Sequence, residues 1–293
     1  MTNTEKLVVA VGNQIYCVDE RKRFLVGERP ANVKGLASVA GQLYDAAGYG
    51  SEDGSIVISN TLTSELKCSI GLNAPQSNLK MVGPVELRGL ASDGTKLFAG
   101  VFNRWADVNK VVTMPVGIST EIKIGGKFKC VGDVPTEDIV DSGVNVCDVR
   151  YELNSIAIFD GTVYTASQYA RGIGVVENLT RKAVYHGEPI STMFGVGRDF
   201  YAATRSNEIL KMGRLGANHY LDHVVTKRNV KALAACDKVL YDAVTLQDGS
   251  SQIYETLNVS AAPLYSFEKP VNAMTSVPAD LWENLASKGK RMD

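Results

Sequence analysis

Three things that would point quickly to a function are missing from this sequence: an excess of one charge, a long apolar run, and a patterned set of cysteines. The 293 residues carry 31 Lys and Arg against 32 Asp and Glu, a formal net charge of -1. That balance gives no general pull toward nucleic acid or an acidic membrane surface, so any charged partner is read by a local patch. No stretch approaches the ~20 apolar residues of a membrane-spanning helix. The opening residues MTNTEKLVVAVGNQIY run straight into strand-like sequence without the cleavage pattern of a secretory signal. The five cysteines, Cys17, Cys68, Cys130, Cys147 and Cys236, are scattered and show no C-x-x-C spacing. This argues against a thiolate zinc site and for free thiols in a reducing compartment. Cys130 and Cys147 flank one insertion and are the only pair to suspect of a disulfide. The expectation is a cytoplasmic monomer with no nucleic-acid or membrane partner, no metal and no cofactor.

What is present is a repeated phrase. Val33 to Ala46 (VKGLASVAGQLYDA) returns without a gap at Val230 to Ala243 (VKALAACDKVLYDA). Further copies stand at Leu87 to Gly100, Leu153 to Ala166 and Ile190 to Ala203, and a last one opens at Val271. Each runs apolar, polar, small, apolar, small, then a turn rich in Gly, Asp, Lys or Arg, then an apolar residue and an aromatic. This is the pattern of two short strands joined by a tight turn. In the second half the copies recur about every 40 residues, the period of a four-stranded propeller blade. Two more apolar segments follow each phrase, SQIYETL and APLYSFEKP in the last complete unit.

These observations predict an all-β chain of six four-stranded antiparallel blades in a single domain. The blades fall near residues 33–86, 87–152, 153–189, 190–229 and 230–270, and residues 271–293 with 1–32 make the closing blade. In that closing blade the C-terminus supplies the inner strand and the N-terminus the other three, although EKLVVAVGNQIYCV also aligns to the phrase itself. The second blade is overlong. Its surplus, about Gly132 to Tyr151, holds Asp133, Glu137, Asp138, Asp141 and Asp148 and reads as an acidic surface loop. The tail Ala279 to Asp293 reads as a short helix or a frayed end.

On the strength of the repeated phrase, the chain resembles the six-bladed β-propeller superfamily over nearly its whole length. The resemblance is one of fold: no Trp-Asp dipeptide closes a blade, and there is no YWTD run, kelch Gly-Gly pair or sialidase box. Fold alone licenses no function. What the resemblance implies is a map, in which the inner strands line a central channel and the loops entering them share a face with the loops between second and third strands. The second position of the phrase, where each inner strand begins, reads Lys34, Arg88, Asn154, Ser191, Lys231 and Asn272, all polar. Loops on the same face add Tyr49, Arg104, Trp105, Tyr169, Arg171 and Arg205, residue types over-represented at interface hot spots. Glu52, Asp53, Asp107 and Asp248 make the face mixed in charge. Trp105 either stands at the rim or folds back between blades as core.

Catalytic patterns are thin. Asp45 and Asp242 occupy equivalent places in two copies, but opposite or near-opposite placement in a ring would separate them, and local hydrogen bonding within the blade is the expected fate of each. His219 and His223 form an H-x3-H that would bind metal on a helix, yet the segment reads as an outer strand. His186 is alone, and no G-x-S-x-G elbow exists. No catalytic residue is assigned. The expected function is a recognition scaffold whose channel-mouth face binds a protein, a peptide or an anionic small molecule. The alternatives are a hydrolase or lyase with a central-channel active site, and a structural subunit of a larger assembly.

Overall fold

The computed structural model describes the chain except for residues 1–4, 20–21, 49–54, 74–78, 81, 117–118, 128–135, 141–142, 150–151, 168–171, 178–179, 187, 197–198, 216–217, 226–227, 238, 257, 259–261 and 293. Each copy of the phrase opens with a strand. In the copies at Val33 and Leu153 the turn residues Ala40-Gly41 and Asp160-Gly161 all have positive φ, at 49° and 70° and at 49° and 69°. That is the geometry whose twist matches two antiparallel strands, and which Asp-Gly adopts readily.

Among the described residues the strands assemble into six sheets. One runs outward from β4 (Val33–Val39) through β5 (Gln42–Gly48), β6 (Ile56–Asn60) and β7 (Leu66–Leu72) to β11 (Thr120–Ile124). The next holds β8 (Glu86–Ser92), β9 (Lys96–Asn103), β10 (Val108–Pro115) and β12 (Asn145–Asp148). Three consecutive meanders follow. They are β13 (Leu153–Phe159), β14 (Thr162–Ser167), β15 (Gly172–Glu177) and β16 (Thr180–His186); β17 (Ile190–Val196), β18 (Asp199–Thr204), β19 (Glu208–Leu215) and β20 (Asn218–Val225); and β21 (Val230–Cys236), β22 (Val239–Thr245), β23 (Ser251–Glu255) and β24 (Tyr265–Phe267). The last sheet joins both ends of the sequence, in the order β25 (Val271–Pro278), β1 (Glu5–Val11), β2 (Gln14–Asp19), β3 (Lys22–Glu28) and β26 (Lys290–Met292).

The first strands of these sheets touch in a closed circle: β4 with β8, β8 with β13, β13 with β17, β17 with β21, β21 with β25, and β25 with β4. The architecture is a β-propeller. Each sheet presses its faces on its neighbours, and the small third residue of one phrase receives the apolar fourth residue of the next. A Cβ on Gly35 would come within 2.6 Å of the Leu90 Cβ, and one on Gly89 within 3.1 Å of Ile156. Glycine stands at these two positions because the neighbouring strand occupies the space a side chain would need.

The structure refines or departs from the sequence expectation in three places, the tail taking the helical one of its two expected forms. The overlong second unit is not simply a surface loop, since Thr120–Ile124 crosses to pair in parallel with β7 and Asn145–Asp148 returns to pair with β10. The sheet built on β4 therefore has five strands while the one built on β8 keeps four, and the crossing strand covers an edge of β7 that would otherwise be open to pairing. The tail does not fray. It forms helix α1 (Ala279–Lys288), which buries Leu281, Trp282, Leu285 and Ala286, and then strand β26 against β3. Trp282 donates its indole N–H to the Leu7 carbonyl at 3.3 Å and stacks edge-on against Phe24. Thirdly, Asp45 and Asp242 are not opposite one another, because the sheet built on β25 alone separates the sheets that carry them.

Cys17, Cys68, Cys147 and Cys236 are buried and form no disulfide among the described residues, and Cys130 lies outside them. Among the described residues no helix is long and apolar enough to cross a membrane.

Candidate recognition site at the channel mouth

Every inner strand carries one irregularity at the same place. The ladder between each inner strand and its partner skips a residue, between Val33 and Gly35, Leu87 and Gly89, Leu153 and Ser155, Ile190 and Thr192, Val230 and Ala232, and Val271 and Ala273. The skipped residues are Lys34, Arg88, Asn154, Ser191, Lys231 and Asn272. Each is the extra residue of a β-bulge, which releases its backbone from pairing and re-aims its side chain. All six line one central cavity of about 470 Å³. The polar second positions read from the sequence thus meet at one opening, and the bulge brings them there. A one-residue bulge leaves no mark on an apolar pattern, so only the structure reveals it.

Their side chains divide into two kinds. Asn154 donates to the Ile190 carbonyl, and Ser191 lies 3.0 Å from the carbonyls of Ala203 and Val230. Both therefore bond to the first residue of the following inner strand. Asn272 donates to the Gly12 carbonyl at 3.2 Å, in the turn between β1 and β2. Lys34 and Lys231 are exposed. Arg88 lies between these cases: its guanidinium pairs with Glu86 at 2.8 Å and stacks 4.5 Å over the Phe102 ring. Glu86 and Phe102 went unread in the sequence, and the polar residue just before the phrase was the available signal for Glu86.

The rim residues sit in the turns after the second strands. Arg104 and Trp105 are exposed between β9 and β10, Trp105 to 58%, so this ring is not core. The turn is anchored from beneath by Asn103, which is 4% exposed. Its amide donates to the Val82, Gly83 and Pro84 carbonyls at 2.8 to 3.3 Å, and its Oδ1 accepts from the Trp105 and Ala106 N–H groups at 2.9 Å. Arg205 is exposed between β18 and β19, and its backbone N–H bonds the Pro189 carbonyl at 2.9 Å. Asp107 and Asp248 are exposed in the matching turns of their sheets, and hydrogen bonds from Ser250 hold the Asp248 carboxyl below its ordinary value. Tyr49, Tyr169, Arg171, Glu52 and Asp53 lie outside the described residues.

At the far end of the cavity stands Glu5, opposite Pro278 at the end of β25, and burial pushes its carboxyl up. Asp45 and Asp242 do not face the channel as a pair. Each is fully buried within its own sheet and held by an arginine, Arg29 and Arg228 respectively. A second cavity of about 360 Å³ lies beside β10, where part of the acidic surplus gathers. There Lys110 Nζ sits 2.9 Å from Asp138 and 3.3 Å from Asp148, so a lysine side chain offsets these two carboxylates. Asp133 and Asp141 lie outside the described residues. His219 and His223 fall on strand β20 and His186 on β16. Among the described residues no group of three His, Cys, Asp or Glu side chains could share a metal ion.

No protein-family model and no curated protein matches the sequence. Similarity is found at the level of solved structures. A chain from the crystal structure of a nidogen/laminin complex matches with a TM-score of 0.62 at 12% identity, over 93% of this chain and 98% of that one. The β-propeller domain of Cps50 (Swd1) from Myceliophteria thermophila matches with a TM-score of 0.50 at 11% identity, over 96% of each. At such identity the likeness is one of fold.

Proposed function

We propose that this chain is a six-bladed recognition scaffold, one blade to each sheet, whose channel-mouth face binds a protein or peptide partner. The observation that carries this reading is the convergence of six bulge residues on one cavity mouth, with an exposed tryptophan in a buttressed turn on the same face. A tryptophan left in water at 58% exposure gains nothing for the fold, yet it offers a partner a large apolar area at little cost in side-chain freedom. Asn103 and the short turn it anchors fix that ring's position before any partner arrives, which lowers the entropy lost on binding. Lys34, Lys231, Arg104 and Arg205 add charge of one sign to the same face, relieved by Asp107 and Asp248, and such mixed rims set association rate and choice of partner. One structural neighbour comes from a nidogen/laminin complex, which agrees with a protein partner for this fold.

The test places a photo-crosslinking amino acid at Trp105 and, separately, at Lys96, an exposed residue at the start of β9 and so at the opposite end of the same sheet. Partner adducts formed in the native cell extract from position 105 and absent from position 96 support the mouth face. Equal adducts from both positions, or adducts from position 96 alone, would remove it. Trp105→Ala serves as the control: it leaves folding stability within about 0.5 kcal/mol while lowering capture.

A further inference from the structure

We infer that the channel mouth contains an anion site confined to one arc of the ring, formed by Lys231, Asn272, Lys34 and Arg88, which receives an anion whose carboxylate or phosphate groups together carry two or more negative charges. This deepens the reading of the mouth as a recognition face and rests on it. The four residues stand on four successive inner strands, since β21 touches β25, β25 touches β4, and β4 touches β8. The three cations of the ring of bulges therefore share one arc, with Asn272 between the two lysines, rather than being evenly spread.

The other arc does different work. Asn154 and Ser191 turn their polar atoms onto the backbone of the next inner strand, at Ile190 and Val230, and so stitch the sheets together. Lys34 and Lys231, at the same bulge position, stitch nothing. Among the described residues neither is engaged in a hydrogen bond or ion pair, and both are exposed. Asn272 stands between them with its amide N–H directed to Gly12. Arg88 closes the arc. Glu86 takes one of its nitrogens, while its Nε is buried without an acceptor.

Two ammonium groups flanking one opening repel each other, and an anion between them converts that repulsion into attraction. The electrostatics also give the channel a direction. Glu5 lines the cavity at the far end and Lys34, Arg88 and Lys231 line it at the mouth. An anion is drawn to the mouth and kept from passing toward Glu5. A cavity of about 470 Å³ falls within the ~300–1,000 Å³ of small-molecule sites. It accepts a free anion, or an acidic or phosphorylated side chain carried by a partner. The chemistry at the arc is the same for both.

The experiment is isothermal titration calorimetry at low ionic strength, where screening is weak. The probes are citrate, inorganic pyrophosphate and a hexaglutamate peptide. The proteins are wild type, the Lys34→Gln/Lys231→Gln double variant, and Ser191→Ala. Wild type is expected to bind at least one probe, with affinity that falls as salt rises. The double variant should bind it at least about tenfold more weakly while melting as wild type does. Ser191→Ala should melt lower and bind as wild type does. Binding of hexaglutamate alone assigns the anion to a partner's chain, and binding of citrate or pyrophosphate assigns a free small anion. The inference is overturned if no probe binds wild type, if the double variant binds equally well, or if folded Ser191→Ala loses as much affinity as the double variant. Any of these results leaves the crosslinking test of the mouth face standing, so the two ideas fail separately.

Discussion

Arg29 grips Asp45 through two parallel hydrogen bonds, Nε to Oδ1 and Nη2 to Oδ2, each 2.7 Å long. Thr61 adds a third at 2.9 Å, and the pair is almost wholly buried. Arg29 lies in the segment entering β4, Asp45 on β5, and Thr61 just past β6, so one carboxylate ties together three successive elements of a sheet. Arg228 and Asp242 repeat the pairing in the sheet built on β21 with poorer geometry: Arg228 reaches Oδ1 at 3.1 Å, while Oδ2 and the Thr256 hydroxyl make no hydrogen bond.

Breaking the better clasp should cost most. Asp45→Ala leaves Arg29 buried without its counter-charge and is expected to lower stability by about 3–5 kcal/mol. Asp242→Ala should cost clearly less. Denaturant midpoints of the two variants check this, and equal losses would mean that the bidentate geometry contributes nothing.

A pH effect follows from the weaker clasp. Burial pushes the Asp242 carboxyl up, and the charge of Arg228 offsets this only in part. A carboxyl raised on folding contributes stability that is full below its unfolded value, near 3.8, and is lost as pH rises through the folded value. The stability of wild type relative to Asp242→Asn should therefore decline as pH is raised from about 4 toward neutrality. Unfolding curves at several pH values test this, and a difference that is flat or grows with pH contradicts it.

Packing around the ring gives a third expectation. Because Leu90 occupies the space beside Gly35, Gly35→Val should destabilise the fold by about 1–3 kcal/mol through overpacking. Gly41 has open space around it, but its φ of 70° makes a substitution there a test of backbone strain. Comparing the melting temperatures of Gly35→Val and Gly41→Ala separates crowding from strain.

The end of the chain offers a fourth. Truncation after Pro278 removes α1 and β26 but keeps the inner strand β25. It uncovers Phe24, Leu7 and the outer edge of β3. The shortened protein should melt well below the full chain and tend to aggregate through the freed edge. Unchanged melting would show that the helix is only lodged on the surface.

The thiols provide the fifth. Burial pushes Cys17 and Cys236 up to about 12, so at neutral pH they are protonated and poor nucleophiles. In native protein they should resist a thiol-reactive dye over the time in which the denatured chain reacts fully. Rapid native labelling, mapped to Cys17 or Cys236 by peptide mass, would refute their burial.

How much of this could be read in the sequence depended on whether a feature repeats. The phrase marked the strands at β4–β5, β8–β9, β13–β14, β17–β18 and β21–β22, because alternation and turn residues recur there. The polar second position recurs too, and it led to the mouth. Features that occur once, or at unequal offsets, stayed hidden. Arg29 lies four residues before its phrase and Arg228 two before its own, so aligning the copies does not superimpose them. Thr120–Ile124 is a short strand with no phrase of its own, and its crossing to β7 is a long-range choice that local pattern does not encode. The residues of β26, Lys-Arg-Met, look like a solvated terminus until β3 is seen beside them. Trp105 could have been core or rim by composition alone, and only the turn anchored by Asn103 decides it.

The sheet shared by both ends of the sequence also bears on synthesis. Strands β1, β2 and β3 leave the ribosome first, yet the strands that flank them on either side, β25 and β26, leave last. Throughout translation the first hairpins must wait with both outer edges open, and the circle of inner strands lacks one member until Val271–Pro278 emerges. Folding of this ring is therefore completed by its final segment, and a ribosome stalled before it would display unpaired strands to the cell for as long as the stall lasts.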